Sequence, residues 1–373
     1  MREYVLVFLI GVAVSFMLTP PARSLALRLG AVARVRNRDV HHDAIPYFGG
    51  LAMLGGVAAT FFLASRLPFL TRYSFVTKDS VTILIAGAII CAVGVIDDLI
   101  ELNALTKVAG QVLAAGATVL GGVRMQWIPW RGGIITLDPA ASVLITVVAV
   151  FLCANAINLI DGLDGLAAGI VAISAFSFFV YSYWLTVAED LARAQTASLV
   201  TIAICAICIG YLPHNFHPAT IFMGDSGSML LGLLFASSMI SLTSQIEPTS
   251  LADRSGLLAA YIPLIMPIVA LGLPFLDMVM AYTRRTWKGV WWFVADKQHL
   301  HHRLLQRGHT QVRAVFLMYG WTALLAFSAL ALGLHPSLLT ASIVVVVVVS
   351  TVIFAVVSGR NLVLEESEKE GSS

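Results

Sequence analysis

Carboxylates recur at the ends of apolar stretches in this chain of 373 residues. Asp97 and Asp98 close one such stretch in the sequence GVIDDLIELNALTK, which ends on Lys107. Adjacent helical residues point about 100° apart, so one aspartate could hold a metal ion while the other faces a different group. Lys107 could pair with these acids or contact a phosphate. Solvation of a helix end explains the two aspartates equally well, so this motif alone leaves both interpretations open.

A second acidic motif, NAINLIDGLDGLAAGI, spaces Asn158, Asp161 and Asp164 three residues apart. This spacing places the three side chains along one face of a helix. Gly162 and Gly165 make a regular helix unfavourable and let a ligand approach the backbone closely. Asn and Asp side chains suit ribose hydroxyls, amides or metal-bound water. A polar helix end would explain one aspartate but not the whole series, so we predict a binding face here.

A third motif, FMGDSGS, places Asp225 directly before another apolar stretch. Ser226 or Ser228 could cap the helix that begins there, and the free N–H groups of its first turn favour a nearby anion. Phe222 is more typical of packing than of base stacking when it is judged from the residue type alone. The motif therefore predicts a helix start that could face a phosphate.

Histidines cluster near the C-terminal end in DKQHLHHRLLQRGH, which contains His299, His301 and His302 with Arg303 and His309 close by. Histidine and arginine suit phosphate oxygens through charge-assisted hydrogen bonds. Imidazoles at this spacing could also bind zinc. No cysteine lies nearby and carboxylates are abundant, which favours Mg²⁺ on oxygen ligands.

The elements that must position these residues follow from the composition. The chain is 58% hydrophobic and only 12% charged, with a mean hydropathy of +0.88, whereas soluble domains carry about 25% charged residues. Because roughly 20 apolar residues span a bilayer, we predict an all-α polytopic membrane protein with about eleven transmembrane helices. The predicted spans are 4–20, 48–66, 80–96, 106–124, 141–160, 166–187, 196–212, 227–243, 257–282, 314–334 and 337–357.

Several smaller features complete this outline. Residues 1–357 form a single transmembrane domain, and the acidic segment 358–373 is predicted to be a disordered cytoplasmic tail. Residues 20–30 predict an interfacial helix, and Trp287, Trp291 and Trp292 predict an aromatic belt at the membrane surface. The four cysteines lie in apolar stretches, where packing is a better explanation than a disulfide or a metal site.

The basic residues predict the orientation. With eleven spans, fifteen of the 23 Lys and Arg residues fall on one side, which the positive-inside rule makes cytoplasmic. The N-terminus is then outside, the C-terminus is cytoplasmic, and the acidic and histidine motifs share the cytoplasmic side. No Asp, Glu, Lys or Arg lies near the centre of a predicted span, which disfavours a transporter. A net charge of +2 argues against nucleic-acid binding.

These residue types together predict a reaction class. Carboxylates suit Mg²⁺, basic groups suit phosphates and the Asn–Asp series suits a sugar nucleotide. Their shared position at a lipid surface favours phosphoryl transfer to a membrane-bound acceptor.

The motifs, taken in order, resemble the polyprenyl-phosphate N-acetylhexosamine-1-phosphate transferases, the superfamily that contains WecA, TagO and MraY. The similarity runs from RDVHHDAIPYFGG (38–50) to DKQHLHHRLLQRGH (296–309). HLHHRLLQRGH and PHNFHPATIFMGDSGSMLLG resemble the WecA and TagO branch, and RNRDVH is similar to actinobacterial WecA-type enzymes. The first loop departs from the commonest pattern of that branch at Ala33, Val35 and Asp39.

The resemblance implies ten or eleven transmembrane helices around a cytoplasmic cleft in the plasma membrane. It also implies that UDP-GlcNAc and undecaprenyl or decaprenyl phosphate react to give polyprenyl-diphospho-GlcNAc and UMP, as the first membrane step of a cell-envelope polysaccharide. The implied cofactor is Mg²⁺, for which Mn²⁺ could substitute, and a homodimer is compatible with the family.

The resemblance further implies roles for individual residues. Asp225 and Asp97 would be metal ligands. The catalytic set would comprise Asp97, Asp98, Asp225, His299, His301 and His302. The substrate-binding set would comprise Lys107, Asn158, Asp161, Asp164, Asn215, Phe222, Arg303 and His41, with Asn215 and Phe222 at the uracil end.

The acceptor itself limits the mechanism. The second pKa of a phosphate monoester is about 6, so the lipid phosphate is mostly a dianion at about pH 7 and gains little from a general base. We therefore expect direct attack by the lipid phosphate, with Asp98 orienting it. The alternatives are a donor such as UDP-MurNAc-pentapeptide or another UDP-HexNAc, and a non-catalytic transporter.

Overall fold

The structure is a computed structural model that describes residues 1–32, 45–130, 133–245, 257–289, 299–335 and 337–370. Its helices are α1 (Arg2–Leu29), α2 (Gly49–Ala64), α3 (Ser74–Ile100), α4 (Ala104–Leu120), α5 (Pro139–Ile160), α6 (Leu166–Val187), α7 (Ala194–Asn215), α8 (Gly224–Gln245), α9 (Leu257–Ala270), α10 (Gly272–Trp287), α11 (Leu300–Gln306), α12 (Gln311–Leu334) and α13 (Leu338–Glu370). An antiparallel hairpin of β1 (Trp127–Trp130) and β2 (Gly133–Thr136) lies between α4 and α5.

The described helices confirm a polytopic helical membrane protein. Seven of them are long and apolar enough to cross a bilayer, namely α1, α3, α5, α6, α7, α8 and α12, and the bent pair α9–α10 can form an eighth span. The helices α2 and α4 and the segment Leu338–Phe354 of α13 are shorter but apolar. The count of eleven spans and the orientation stay predictions.

Local sequence signals explain several helix ends. Asp138 accepts hydrogen bonds from the N–H groups of Ala140 and Ala141 and so caps α5, which begins with Pro139. Asn103 caps α4 by accepting from the N–H of Thr106. Gly165 adopts a φ of 76° directly before α6, a conformation that glycine allows at little cost. The predicted span 141–160 therefore ends at the same residue as α5, and the predicted span 166–187 begins at the same residue as α6.

The predicted single span 257–282 is wrong in one respect, because the chain bends by 76° between α9 and α10. Pro274 explains the break, since proline removes a helical N–H and its ring crowds the carbonyl four residues earlier. That carbonyl belongs to Ala270, and it accepts a hydrogen bond of 2.6 Å from the hydroxyl of Ser174 in α6. The neighbouring helix thus satisfies the backbone group that the proline frees.

Three other expectations differ from the structure. The all-α prediction omitted the hairpin β1–β2, whose backbone groups pair between Trp127 and Thr136. The helix α1 continues through Pro20 and Pro21 to Leu29 instead of giving way to a separate interfacial helix. The last helix, α13, reaches Glu370 and so ends beyond the predicted span 337–357, while the disorder of residues 358–373 stays a prediction. The boundary of the single domain at residue 357 stays a prediction.

The helix α8 lies at the centre of the molecule. Its apolar segment is 100% buried, compared with 83% for α7 and 78% for α6. Gly50 of α2 and Gly94 of α3 pack directly against the backbone of Ser226 and Gly227 near the start of α8. A Cβ atom at either glycine would overlap that backbone, so α2 and α3 can approach this helix end only through glycine. This close packing sets the position of the polar residues at the end of α3.

Candidate active site

Three carboxylates meet where α3 ends and α8 begins. Asp97 and Asp98 lie in the last turn of α3, and Asp225 is the second residue of α8. One ligand oxygen from each can be chosen so that all three atoms lie within 4.8 Å of one another. The structure thus brings together the three aspartates that the sequence predicted as catalytic, and they form the one such acidic group among the described residues.

Lys107 joins two of these acids. Its Nζ lies 2.8 Å from Oδ2 of Asp97 and also contacts Oδ2 of Asp225. Asn103 starts α4 only a few residues after α3 ends, so Lys107 in the first turn of α4 returns to the end of α3. One ammonium group between two carboxylates offsets part of their mutual repulsion. A cation therefore already stabilises this position, and the oxygen-rich donor set fits the hard divalent metals.

Asp98 is engaged with the start of α8. Its Oδ1 accepts a hydrogen bond of 2.9 Å from the N–H of Asp225, and its Oδ2 accepts one of 3.4 Å from the N–H of Ser226. The carboxylate thus occupies the positive end of the α8 dipole. Gly224 has a φ of 68°, and a Cβ atom there would overlap the Asp98 carboxylate. Asp98 fixes the backbone of Asp225 as well as adding charge to the acidic group.

Asn158 contacts Asp225 directly. Its Nδ2 donates to Oδ1 of Asp225 over 2.8 Å and to the hydroxyl of Ser228 over 2.9 Å. The expectation that Asn158, Asp161 and Asp164 share one helix face is wrong, because α5 ends at Ile160 and the next residues form a turn. The three side chains consequently make different contacts.

Asp161 stays beside the acidic group. Burial raises the pKa of Asp161 to about 8, and the nearby carboxylates of Asp225, Asp98 and Asp164 add to that increase. An extra positive charge at this position would lower the pKa again. The turn after α5 therefore adds a further carboxyl group near Asp98 and Asp225.

Asp164 and Asn215 hold the loop between α7 and α8. Oδ2 of buried Asp164 lies 2.9 Å from Nδ1 of His217 and accepts from the N–H of Ala219 over 3.1 Å. Asn215 accepts from the N–H of Gly165 over 3.1 Å and donates to the carbonyl of Ile221 over 3.0 Å. Both side chains were predicted to contact a nucleotide, and both are committed to chain contacts in this structure.

The loop that these residues hold carries Phe222. The N–H of Phe222 donates to the carbonyl of Pro46 over 2.9 Å, and its carbonyl accepts from the N–H of Gly49 over 3.1 Å. Its half-buried ring lies 6.1 Å from the ring of Tyr47, measured between centroids. Phe222 is therefore fixed by its backbone, and part of its ring remains accessible.

The histidine motif packs onto the turn between α5 and α6. The rings of His299 and His301 are stacked with centroids 5.7 Å apart, and those of His301 and His302 lie 4.3 Å apart. Fully buried His301 lies against Gly162, where a Cβ atom would overlap its imidazole. Burial lowers the pKa of His301 to about 3, with the neighbouring histidines as a further cause. His301 is therefore neutral near pH 7, and its environment differs from that of His299, which contacts Asp277.

Asp277 in α10 is a polar residue at this site that none of the sequence motifs contains. Its buried carboxylate contacts Nδ1 of His299 over 2.8 Å and accepts from the N–H of Leu300 over 2.9 Å. Asp277 is the sole acid in the predicted span 257–282, and this isolation was the available signal. Arg303 is also buried, close to the motif. His41 and the first loop, 33–44, lie outside the described residues.

Comparison with known proteins adds to this geometry. The profile of glycosyl transferase family 4 matches residues 80–243, which contain the three aspartates, Lys107 and Asn158. A decaprenyl-phosphate N-acetylglucosaminephosphotransferase of Mycobacterium tuberculosis (strain ATCC 25618 / H37Rv) is 42% identical over 334 residues, which is 88% of this chain and 82% of the relative. The chain belongs to glycosyl transferase family 4. This assignment confirms the resemblance drawn from the motifs.

Two further relatives show how the similarity is distributed along the chain. A probable undecaprenyl-phosphate N-acetylglucosaminyl 1-phosphate transferase of Bacillus subtilis (strain 168) is 32% identical over 361 residues, 96% of this chain and 93% of the relative. A phospho-N-acetylmuramoyl-pentapeptide-transferase of Mycobacterium marinum (strain ATCC BAA-535 / M) is 31% identical over 288 residues, 66% of this chain and 78% of the relative. The two N-acetylglucosamine relatives thus match a larger share of the chain.

Proposed function

We propose that this chain transfers GlcNAc-1-phosphate from UDP-GlcNAc to polyprenyl phosphate, giving polyprenyl-diphospho-GlcNAc and UMP. The observation that carries the proposal is the group of Asp97, Asp98 and Asp225 with Lys107 at the ends of membrane-type helices. The 42% identity to a decaprenyl-phosphate N-acetylglucosaminephosphotransferase supports the same donor and acceptor. Carboxylates with a lysine suit the binding of two phosphorylated substrates next to a metal ion.

The reaction requires one P–O bond to form and one to break. An oxygen of the lipid phosphate attacks the phosphorus that carries GlcNAc, and the bond from that phosphorus to the bridging oxygen breaks, so that UMP leaves. The lipid phosphate is already a dianion near neutral pH because its second pKa is about 6. Positioning two anions in line therefore dominates over proton abstraction. We retain direct attack and exclude a phosphorylated enzyme from the proposal.

The role of Asp98 changes in the light of its contacts. The sequence suggested that Asp98 orients the lipid phosphate, but its two oxygens accept from the N–H groups of Asp225 and Ser226. We therefore propose that Asp98 orients Asp225, which in turn faces the substrates. We assign Lys107, whose ammonium contacts Asp97 and Asp225, to a substrate phosphate, and a divalent cation held by the two acids would supply the positive charge in its place.

The proposed cofactor is Mg²⁺, with Mn²⁺ as a substitute. Asp225 and Asp97 would hold it, since both already contact one cationic group, the ammonium of Lys107. The bound ion would supply charge neutralisation for the diphosphate. Asn158 would keep Asp225 oriented through its hydrogen bond of 2.8 Å, as hydrogen-bonding partners of metal ligands commonly do.

The remaining residues are assigned to the donor. The accessible part of the Phe222 ring suits stacking on uracil, while Asp164 and Asn215 hold its loop from behind. Asp161 is assigned to the nucleotide side, and His302 and Arg303 to phosphate or sugar. We further propose that the site faces the cytoplasm, where UDP-GlcNAc would bind, and that the protein forms a homodimer.

Replacement of Asp225 by asparagine tests whether the chain is this enzyme. Purified protein is incubated with Mg²⁺, polyprenyl phosphate and UDP-GlcNAc labelled in the uridine, and the release of labelled UMP is measured. D225N is expected to lose at least about 100-fold in rate, because one charged metal ligand is removed. Asp138→Asn is the matched control, since Asp138 caps α5 away from the acidic group and asparagine caps helices equally well. UMP release by D225N at the rate of D138N would refute the proposal.

A further inference from the structure

Asp277 forms a buried pair with His299 that no part of the proposed reaction uses. Its carboxylate is fully buried in α10. Oδ2 lies 2.8 Å from Nδ1 of His299, and Oδ1 accepts from the N–H of Leu300 over 2.9 Å. Burying a carboxylate is unfavourable unless its charge is compensated by such contacts. Both oxygens are used, so Asp277 holds the start of α11 at two adjacent points.

This pair determines the orientation of the His299 ring. A carboxylate oxygen accepts hydrogen bonds, and the 2.8 Å contact with Oδ2 directs Nδ1 of His299 towards Asp277. Nε2 lies at the opposite edge of the ring. The same arrangement fixes the ring plane, much as carboxylates orient histidines elsewhere. The orientation of His299 is thus set by a residue 22 positions earlier in the chain.

The ring of His299 is stacked with the ring of His301, so its orientation affects the position of His301. The planes of His299 and His301 differ by only 2°, and His301 rests on Gly162 without room for a Cβ atom between them. Gly162 lies in the turn after α5, and Asn158 in the last turn of α5 donates to Oδ1 of Asp225 over 2.8 Å. A continuous series of contacts therefore leads from Asp277 to the turn beside the acidic group.

We propose that Asp277 is a positioning residue for the transfer reaction, which fixes the histidine motif against the turn between α5 and α6 by holding His299. The proposal rests on the proposed function. Asp277 does not touch the substrates, and its effect reaches them through His299 and the residues that follow, His302 and Arg303. A change at Asp277 consequently alters the geometry of the phosphate-binding residues without altering the acidic group.

The test uses the purified full-length protein with Asp277→Asn and Asp277→Glu. Asparagine has one acceptor oxygen and one donor nitrogen in place of two acceptor oxygens, so D277N either loses the contact with His299 or keeps it only when Nδ1 becomes the acceptor, and both outcomes change the hydrogen bonding of the ring. We expect kcat/KM for UDP-GlcNAc to fall about 10- to 100-fold in D277N, with partial recovery in D277E. Asp79→Asn is the matched control, because Asp79 is also a buried aspartate of a membrane-type helix. It lies at the other end of α3, about 27 Å from Asp97.

A double-mutant cycle separates positioning from a general loss of stability. His299→Asn retains a donor near the position of Nδ1 but removes the ring, and it is combined with D277N. If Asp277 acts through His299, the double variant is no slower than the slower single variant. The proposal would be overturned if the loss of kcat/KM in the double variant equalled the product of the losses in the two single variants. It would also be overturned if D277N had the same kcat/KM as D79N, and both criteria hold whatever the melting temperatures of the variants.

A measurement without turnover distinguishes failure of this inference from failure of the proposed function. Diethyl pyrocarbonate modifies accessible histidines, and mass spectrometry reports modification of His299. We expect at least about fivefold faster modification in D277N than in the wild-type protein or D79N, because the ring is released from its buried pair. If the wild-type protein is inactive but His299 is modified faster in D277N, the proposed function is contradicted and the pairing of Asp277 with His299 is still supported. Equal modification in all three proteins would overturn the positioning role.

Discussion

Replacing Asn158 with alanine is expected to weaken activation by Mg²⁺ rather than binding of UDP-GlcNAc. The Asn158 amide donates to Oδ1 of Asp225 over 2.8 Å and to Ser228 over 2.9 Å. A hydrogen bond to a charged acceptor contributes about 1.5–3 kcal/mol, and about 1.4 kcal/mol corresponds to a factor of ten. The expected increase in the Mg²⁺ concentration for half-maximal rate is therefore about 10- to 100-fold. The side chain of Asp225 is 21% exposed, and solvent screening places the value in the lower part of this range.

The assay measures initial rates of UMP release as a function of Mg²⁺ at saturating UDP-GlcNAc, and then as a function of UDP-GlcNAc at saturating Mg²⁺. Asn155→Ala is the matched control, because Asn155 lies one turn earlier in α5 and donates to Gln111 and to the carbonyl of Phe151. We expect N155A to keep the wild-type Mg²⁺ dependence. A tenfold higher KM for UDP-GlcNAc in N158A with an unchanged Mg²⁺ dependence would refute this reasoning and assign Asn158 to the nucleotide.

Three further predictions follow from single contacts. Lys107→Met should tighten binding of Mn²⁺ to the substrate-free protein at least about tenfold, because the ammonium no longer competes for Asp97 and Asp225. Electron paramagnetic resonance measures this binding, and equal or weaker binding would contradict the prediction. Asp164→Ala should lower the free energy of unfolding by about 1–3 kcal/mol, because His217 and the N–H of Ala219 lose a buried partner. Thermal unfolding in detergent measures this effect, and an unchanged melting temperature would contradict the prediction. His301 has its pKa lowered to about 3, below the unfolded value of about 6.5. Its contribution to stability is therefore full above about pH 6.5 and is lost as the pH falls towards 3. His301→Gln should flatten the fall in melting temperature between about pH 6.5 and 4, and the same slope in both proteins would contradict this.

The amino-acid sequence predicted the helices well because lipid restricts the chain. A membrane-spanning segment must satisfy its own backbone hydrogen bonds, so long apolar stretches become helices regardless of their neighbours. The stretches 141–160 and 166–187 correspond to α5 and α6 for this reason. The break between α9 and α10 depended on one proline and on a hydroxyl from another helix, Ser174. Hydropathy alone does not contain that information.

The sequence also predicted which residue types gather at the site, but not what each one contacts. Asp97, Asp98 and Asp225 are recognisable because acids at the ends of apolar stretches are costly unless they are used. The spacing of Asn158, Asp161 and Asp164 suggested one helix face, yet the glycines after Ile160 turn the chain and separate their contacts. Asn158 consequently holds Asp225, whereas Asp164 holds His217.

The role of Asp277 could not be inferred from the sequence because it depends on a partner far away in the chain. The sequence shows an isolated acid near the end of an apolar stretch, which is compatible with several environments. Only the fold places it 2.8 Å from His299. Pairing between residues of distant elements depends on how the helices pack, and the spacing of residues along the sequence does not predict it.

Identification of the lipid product tests the central claim most directly. Purified protein is incubated with Mg²⁺, polyprenyl phosphate and, in separate reactions, UDP-GlcNAc, UDP-MurNAc-pentapeptide and other UDP-HexNAc donors, and the lipids are analysed by mass spectrometry. We predict polyprenyl-diphospho-GlcNAc, with one UMP released per lipid product, from UDP-GlcNAc in preference to the other donors. A lipid product from UDP-MurNAc-pentapeptide but not from UDP-GlcNAc, or the absence of any lipid product while UDP-GlcNAc is bound, would contradict the assignment.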